Sequence, residues 1–379
     1  MKICDADSHL MEPLDFLTSY ADPAVRDRLP KIRMRGFDDH VDKTVRLVRD
    51  RAARDAEVPE LEKNILGGVK GWRALGGVLA EERTRALDIL GFEYQLVFST
   101  FANTAFFYAD DPVVMYGGAR AHNRAMADFC RNDPRLVAVG GLPIVDPELA
   151  VREIREAARD RIRVFWIPVE PPNQQSPGHP QYDPVWRELE SIGAIFVLHT
   201  ASERRRLSLD YVDNGHPLNV QGSAQEGEAF STKDIISRQY RPELFIASVA
   251  CDGVFKRFPK LKAGVIEYGA NWVPNFLERL DDGWRLFRAK DAALQLLDAP
   301  PSEYVRAHVK FTPFVTENVA RMIQSAGPEL FMFSSDYPHP EGGNAPIKSF
   351  ERSLDSMNAD AATRTRFYSS NMKEMLNLA

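Results

Sequence analysis

Polar residues near the start of the chain alternate at a spacing that suits a catalytic site. Asp5, Asp7 and His9 are separated by single small residues, and alternation in an extended chain places such side chains on one face. A buried aspartate beside a histidine costs free energy unless its charge is compensated, and a metal ion is one compensator. The pair Asp7-x-His9 therefore predicts a metal site; a cap with a hydrogen-bonded histidine is the alternative.

Three further ligand-type residues stand at the ends of apolar runs. His199 ends the run in AIFVLHT, Glu267 follows AGVI, and Asp336 closes LFMFSSD. Each alone is a weak signal, since a histidine in this position is usually hydrogen-bonded within the core. Their combination with Asp7 and His9 predicts one metal centre, because the five residues would end strands at the same face of a parallel fold.

The elements that would position these residues are eight short apolar runs separated by helix-like segments. Continuous apolar runs indicate strands buried on both faces, as in a parallel sheet. Eight alternations predict an α/β fold of the (β/α)8 TIM barrel type, with a doubly wound sheet as the alternative. The runs are Lys2–Asp7, Tyr94–Phe101, Leu136–Ile144, Arg163–Glu170, Ala194–Thr200, Ala263–Gly269, His308–Phe314 and Leu330–Asp336.

Two connections are too long for a single helix. Leu10–Glu93 follows predicted strand 1, and Thr200–Ala250 follows predicted strand 5. Both leave the C-terminal ends of strands, where barrel enzymes carry their active sites. We therefore expect one domain, residues 1–379, with these insertions (10–93 and 200–250) as a lid over the site.

Composition narrows the possible partners and compartments. The 379 residues carry a net charge of −6, which argues against nucleic acid or an anionic membrane surface as the main partner. No run approaches the roughly 20 apolar residues of a membrane span. The three cysteines are widely spaced and odd in number, which is typical of a reduced compartment. We expect a cytoplasmic protein without a disulfide framework.

The residues above, with the motifs FPKLKAGVIEYGANWVP and SSDYPHPEG, resemble the amidohydrolase superfamily. Within it, the chain is similar to amidohydrolase family 2, the branch of aminocarboxymuconate-semialdehyde decarboxylase. The resemblance implies a (β/α)8 barrel with a metal at the C-terminal mouth. It implies Asp7, His9, His199 and Asp336 as ligands, with Asp336 also accepting a proton. Members of this family often form dimers, so a homodimer is expected.

The sequence departs from that family at Glu267, where the decarboxylases usually carry histidine. The fourth predicted strand also has no lysine for the bridge of binuclear hydrolases. A set of two histidines and three carboxylates suits iron or manganese at least as well as zinc. With glutamate at this position, the chain resembles a group of non-haem diiron monooxygenases on the same barrel. That group includes a diterpenoid hydroxylase.

Two functions follow from these resemblances. The first is hydroxylation of a hydrophobic, CoA-linked or terpenoid-like acyl substrate by two irons and dioxygen, with Asp336 and Glu267 as catalytic residues. The alternative is a mononuclear zinc or manganese decarboxylase or hydrolase that acts on a carboxylated organic substrate. A buried Glu267 must be neutralised by a metal, an arginine or a proton. Because no basic residue follows Lys262 near predicted strand 6, we favour a metal.

Other residues are weaker candidates. His40, His216 and Arg204 lie in the two insertions and are candidates for substrate contact, with surface positions as the alternative. Glu12 follows the first ligand pair and is expected to cap the next segment. His339 follows Asp336 by three residues and is expected to support the metal ligands.

Overall fold

The structure is a computed structural model that describes residues 2–32, 38–203, 211, 213–216 and 232–378. The described residues form eight parallel strands in the order β1-β3-β4-β5-β6-β7-β8, with β2 paired to β3. The strands are β1 Ile3–Asp5, β2 His9–Leu10, β3 Phe92–Ser99, β4 Leu136–Gly141, β5 Val164–Trp166, β6 Ile195–His199, β7 Ala263–Ile266 and β8 Val309–Phe311.

Residues 330–333 close the sheet into a barrel. Phe311 N donates to Leu330 O at 2.8 Å, and Met332 N donates to Phe311 O at 2.9 Å. On the other side, Ala6 N donates to Phe333 O at 3.0 Å. The segment thus lies between β8 and the first strand, which gives the (β/α)8 TIM barrel expected from the alternating pattern.

The helices of the described residues surround this barrel and form the longer connections. They are α1 Phe16–Tyr20, α2 Pro23–Arg26, α3 Asp38–Arg49, α4 Arg51–Leu61, α5 Ala80–Leu90, α6 Pro112–Cys130, α7 Pro147–Arg159, α8 Asp183–Ser191, α9 Thr232–Ser237, α10 Tyr240–Cys251, α11 Val254–Arg257, α12 Val273–Phe287, α13 Ala292–Gln295, α14 Pro301–His308, α15 Val319–Ala326, α16 Pro346–Ser356, α17 Ala361–Thr365 and α18 Asn371–Met375.

Helix α7 shows how local sequence sets the boundary of a barrel helix. The Asp146 side chain accepts hydrogen bonds from Glu148 N and Leu149 N, and Pro147 occupies the first turn. A proline there loses no helical hydrogen bond, and the aspartate satisfies donors that the first turn leaves unpaired. The helix then buries Ala150, Ile154 and Ala157, whose spacing defines the face that packs on the barrel.

Two details of the predicted strands differ from the structure. The first strand ends at Asp5, and the chain bends before β2 begins at His9. Asp5 therefore accepts hydrogen bonds from Ser335 and Gln95 instead of facing the same space as Asp7. The last predicted strand is reduced to the closing segment, with one β-bridge between Phe311 and Phe331.

The first insertion contacts the C-terminal end of the strands. Gly71 N donates to Pro338 O at 3.0 Å, and Trp72 Nε1 donates to Glu12 O at 3.0 Å. The Trp72 ring also stacks on Phe101 at 5.6 Å. Part of the second insertion, including the candidate Arg204, lies outside the described residues. That the two insertions act as a lid stays a prediction.

Candidate metal centre

Five predicted ligand residues meet at the C-terminal mouth of the barrel. Asp7 lies in the bend between β1 and β2, His9 begins β2, and His199 ends β6. Glu267 follows β7 directly, and Asp336 follows the closing segment. All five side chains are at least nine-tenths buried, so their charges must be compensated by one another or by a bound ion.

Four of these residues form a compact group around the carboxylate of Asp7. Asp7 Oδ1 lies 3.2 Å from His199 Nε2 and 3.3 Å from His9 Nε2. Glu267 Oε2 lies 3.4 Å from His199 Nε2. One ligand atom from each residue falls within 4.8 Å of all the others. These separations suit ligands that share one ion, since metal–ligand bonds of about 2.0–2.2 Å place neighbouring ligand atoms roughly 3 Å apart.

A second group shares His9 and includes a histidine that the sequence analysis did not rank as a ligand. Asp336 Oδ1 lies 3.5 Å from His9 Nε2 and 2.9 Å from His339 Nδ1. The three ligand atoms are within 4.8 Å of one another. The rings of His9 and His339 stack at 4.0 Å. The spacing Asp-x-x-His could have marked His339 for this role, because the intervening turn brings its ring back to the carboxylate.

Backbone carbonyls orient two of the imidazoles towards the centre. His9 Nδ1 lies 3.2 Å from Ser99 O, and His199 Nδ1 lies 3.0 Å from Thr200 O. These contacts favour a proton on each Nδ1 and leave Nε2 with a lone pair that can bind a metal. His9 Nε2 is buried and makes no hydrogen bond within the described residues. A buried nitrogen without a hydrogen bond is expected of a residue whose partner is a cation.

The electrostatics of the metal-free group couple Asp7 to His199. Burial opposes ionisation of Asp7, but the neighbouring imidazole of His199 outweighs it and lowers the aspartate pKa. Burial likewise opposes protonation of His199, but Asp7 and Glu267 raise its pKa to about 10. For His9, burial and the nearby His339 lower the pKa to about 3. A proton on His199 thus fills the charge deficit that a cation would fill.

Two ligand residues are held in an unfavourable backbone conformation. Glu267 has φ 58° and Asp336 has φ 52°, in the left-handed region that residues other than glycine seldom adopt. Such conformations cost about 1–3 kcal/mol each and concentrate at functional sites. The turn after β7 and the turn after the closing segment both direct a carboxylate into the mouth at this cost.

Arg238 and Thr200 also contact Glu267, and the sequence analysis missed both. Thr200 Oγ1 donates to Glu267 Oε2 at 2.6 Å. Arg238 Nη1 donates to the Glu267 carbonyl at 3.3 Å and lies 3.9 Å from Oε1. The sequence near predicted strand 6 did not reveal Arg238, because this residue comes from the second insertion and is distant in sequence. That a metal neutralises Glu267 stays a prediction.

A cavity of about 270 Å³ opens directly onto this centre. Asp7, Glu267 and Asp336 form one side, and Pro313 and Phe314 contribute an apolar wall. A larger cavity of about 950 Å³ lies beside the loops after β3, β4 and β5, and none of the ligand residues lines it. The smaller cavity is therefore the space where a substrate would meet a bound ion.

The weaker candidates lie elsewhere. His40 on α3 is exposed, as is His216, and neither lines the cavity at the metal ligands. Glu12 is fully buried, and its Oε1 accepts backbone hydrogen bonds from Thr100, Phe101 and Ala102, each at 2.9 Å. It caps the turn that follows β3 and not, as had been expected, the segment next to it in the sequence. Arg204 lies outside the described residues.

The residues present fit a divalent cation. Three carboxylates and two correctly oriented imidazoles, all buried, form the mixed oxygen and nitrogen set that manganese, iron and zinc accept.

No helix in the described part of the chain is both long and apolar enough to cross a membrane.

Solved structures share the fold across the whole chain. An amidohydrolase from Mycobacterium avium subsp. paratuberculosis K-10 superposes with a TM-score of 0.75, at 20% identity and 99% coverage of both chains. A dihydroxybenzoic acid decarboxylase from Polaromonas sp. JS666, with bound manganese and the inhibitor 2-nitroresorcinol, has a TM-score of 0.62 at 17% identity. That match covers 100% of this chain and 97% of the other.

Sequence comparison agrees with the fold. The chain is 24% identical over 239 residues to gamma-resorcylate decarboxylase of Rhizobium radiobacter, a match that covers 58% of this chain and 65% of that enzyme's length. The amidohydrolase family model matches residues 4–378, which include every ligand residue described above. The chain therefore belongs to the amidohydrolase family and has the architecture of its metal-dependent enzymes.

Proposed function

We propose that this protein is a metal-dependent decarboxylase of a hydroxylated aromatic carboxylate, with one manganese or zinc ion. The observation that carries the proposal is the ligand group around Asp7, which opens onto a small cavity with the apolar wall of Pro313 and Phe314. Similarity to decarboxylases of dihydroxybenzoate and gamma-resorcylate supports the same reaction class.

The size of the cavity favours a compact substrate. Its volume of about 270 Å³ is near the lower end of ligand pockets, which span roughly 300–1,000 Å³. A single substituted ring has the size that this space would hold, and Pro313 and Phe314 offer it an apolar surface. The apolar wall excludes water from the ring, which matters because the reaction leaves negative charge on a ring carbon.

In this reaction the bond between the ring and the carboxylate carbon breaks, carbon dioxide leaves, and the ring carbon takes up a proton. A bound divalent cation would hold the substrate oxygens and stabilise negative charge on them. In this proposal Asp336 holds the proton at Oδ1; His339 Nδ1 lies 2.9 Å from that atom. His339 Nε2 in turn lies 3.2 Å from Thr100 Oγ1, which fixes the ring that orients Asp336.

The test is product analysis with protein loaded with manganese or zinc. Gamma-resorcylate and 5-carboxyvanillate are incubated with the enzyme, and carbon dioxide and the decarboxylated phenol are measured. The proposal expects stoichiometric release of both products with at least one substrate, and no release after chelation. Release of an alcohol or amine from ester or amide substrates, without decarboxylation, would instead assign a hydrolase.

A second function is favoured by one observation, the group formed by His9, Asp336 and His339 beside the Asp7 group. Two adjacent ligand groups with three carboxylates are similar in ligand composition to diiron sites. Hydroxylation of a hydrophobic, CoA-linked acyl substrate with dioxygen is the corresponding activity. Two irons per chain after aerobic purification, together with oxygen consumption, would favour it; one manganese or zinc favours decarboxylation.

Two properties of the whole protein remain proposals from the sequence. A cytoplasmic location rests on the three unpaired cysteines and on the absence of an apolar run long enough for a membrane. A homodimer rests on the family resemblance alone. Sedimentation of the purified protein and fractionation of its host cells test these proposals.

A further inference from the structure

The candidate ligand His9 is oriented by a single peptide group at the end of β3. His9 Nδ1 lies 3.2 Å from the carbonyl oxygen of Ser99, and the amide of the same peptide group belongs to Thr100. Ser99 is the last residue of the strand, and the chain turns away from the sheet after it. Contacts from outside the strand therefore help to set the plane of this peptide group.

Glu12 holds the amide end of the peptide group. Its Oε1 accepts hydrogen bonds from the amides of Thr100, Phe101 and Ala102, each at 2.9 Å. The side chain is fully buried, so water does not compete for these donors. A buried carboxyl oxygen that binds three successive amides fixes the planes of their peptide groups, including the one whose carbonyl faces His9.

His122 on helix α6 holds the other end through the side chain of Ser99. Ser99 Oγ lies 2.8 Å from His122 Nε2, and both residues are fully buried. Burial lowers the pKa of His122 to about 4. The imidazole is therefore neutral near pH 7, and one of its two nitrogens can accept a hydrogen bond.

The surrounding hydrogen bonds indicate which nitrogen of His122 accepts. Among the described residues, the Ser99 hydroxyl contacts no acceptor except His122 Nε2, so it donates to that atom. The ring proton then lies on Nδ1, which is 3.2 Å from Asn123 Oδ1. Gly141 N also lies 3.2 Å from Nδ1, but it is closer to Asn123 Oδ1, at 2.7 Å. His122 is thus a buried acceptor that fixes the Ser99 side chain.

We propose that Glu12 and His122 are positioning residues for His9. They hold the peptide group between Ser99 and Thr100, whose carbonyl keeps the His9 proton on Nδ1 and directs Nε2 towards a bound ion. Neither residue belongs to the two ligand groups. The inference goes beyond the proposed reaction, because it concerns how the metal centre is built and holds for either candidate function.

The experiment compares variants that keep a hydrogen-bond acceptor with variants that lose it. Manganese is titrated by calorimetry into metal-depleted His122→Gln, His122→Leu, Glu12→Gln and Glu12→Leu. A direct outer-shell partner contributes about 10- to 100-fold to metal affinity, so residues one step further out should contribute roughly three- to tenfold. We expect that loss in the leucine variants. The glutamine variants should stay within about twofold of wild type, because an amide oxygen still accepts the hydrogen bond.

The matched control is His308→Leu, which removes another buried histidine. His308 Nδ1 lies 2.6 Å from the Leu261 carbonyl oxygen, close to where β7 and β8 begin and at the opposite end of the barrel. Urea unfolding of the metal-free proteins measures the loss of stability alone. His308→Leu should lose stability without weakening manganese binding.

A milder variant, Ser99→Ala, removes only the hydroxyl that His122 accepts from. It should weaken manganese binding as His122→Leu does, and the two substitutions together should weaken it no further. Equal manganese affinity in His122→Leu and His308→Leu, or equal affinity in the leucine and glutamine variants, would overturn the inference and leave Glu12 and His122 as structural residues. A wild type that binds no manganese would refute the metal centre itself, and the inference with it.

Discussion

At the scale of single residues, the site is built from carboxylates that the backbone places at a cost. Glu267 and Asp336 both have positive φ. If these two residues served only the fold, there would be no reason to keep a strained backbone at their positions. A bound metal ion would offset the cost of this strain, because two anionic ligands then contact a cation. We therefore expect loss of the ion to change the conformation of these two turns first.

The first prediction concerns Glu267→Gln. A neutral amide is a poor substitute for an anionic ligand, so metal affinity should fall by at least about tenfold, the lower end of what loss of an outer-shell partner alone costs. Metal content after dialysis, measured by elemental analysis, is the readout, together with turnover.

The control for that variant is Glu317→Gln. Glu317 is a nearby carboxylate that accepts backbone hydrogen bonds from Ala270, Asn271 and Phe314. Its substitution should lower stability without reducing metal content. Full metal content and turnover in Glu267→Gln would make Glu267 a structural residue.

A second prediction concerns Glu153, which is buried away from the site. Burial raises its pKa to about 7, although Asn123 donates to it at 2.9 Å and Arg120 lies 3.4 Å away. Because the folded protein prefers the protonated form, its contribution to stability is present below about pH 4.5 and is lost as pH rises towards 7.

The change that tests this is Glu153→Gln. Stability should then fall less between pH 5 and pH 8 than in wild type, by up to about 3 kcal/mol for a shift of this size. Urea unfolding at the two pH values measures it. The more exposed Glu156→Gln is the control; the same pH response in wild type and Glu153→Gln would contradict the prediction.

The meeting of five ligand residues could be predicted, because each stands next to an apolar run that indicates a buried strand. These residues are Asp7, His9, His199, Glu267 and Asp336. Arg238 and His339 could not be ranked in the same way. Arg238 reaches the site from a long insertion without a strand to set its register, and the role of His339 depends on the turn after Asp336.

At the scale of elements, helix α5 of the first insertion holds the strand that carries His9. Arg83 is buried and donates to Gly76 O at 2.8 Å, to Ser8 Oγ at 3.1 Å and to the His9 carbonyl. Arg83 thus ties the insertion directly to the metal-binding strand. A charge buried in this way is stable only while its acceptors surround it.

The third prediction is that Arg83→Met destabilises the protein by about 3 kcal/mol or more and weakens metal retention. The substitution leaves several buried acceptors unpaired, each of which costs about 1–3 kcal/mol. Thermal unfolding and metal content are measured together. The control is Arg85→Met on the same helix, because Arg85 is exposed and pairs with Glu62 at the surface, where ion pairs contribute little. Equal effects of the two substitutions would contradict this role.

The strands were predictable as apolar runs, but their ends were not. The bend after Asp5 removes that residue from the face of Asp7, since Ser335 and Gln95 compete for its carboxylate. The closing segment 330–333 is read as a strand from its composition, yet it pairs through few hydrogen bonds. Long-range pairing of this kind depends on neighbours that a local pattern does not contain.

At the scale of the whole molecule, the barrel gathers ligands from both ends of the chain. Asp7 and His9 precede β3, and Asp336 and His339 lie close to the C-terminal helices. Of the two ligand groups, the one around Asp7 joins the start of the chain to β6 and β7, and the one with Asp336 joins His9 to the C-terminal part. A cation in either group would bridge distant elements of the fold. Metal binding should therefore stabilise the entire chain and not only the mouth.

This leads to a fourth prediction, on chelation. An ion at about 100 times its dissociation constant adds about 2.7 kcal/mol to the free energy of unfolding. Urea unfolding with manganese, and again after chelation, should show a difference of this order. The variant Asp7→Asn is the control and should lose most of that response. An equal response in both proteins would place the stabilising ion elsewhere.

We expect the mouth of the barrel to bind a divalent cation through the group around Asp7. Anomalous X-ray diffraction from crystals grown with manganese measures this most directly. We expect a peak about 2.0–2.3 Å from ligand atoms of Asp7, His9, His199 and Glu267. A second peak between Asp336 and His339 would favour the two-metal function. Full-occupancy manganese elsewhere, with none at this group, would show that the group around Asp7 does not bind the ion.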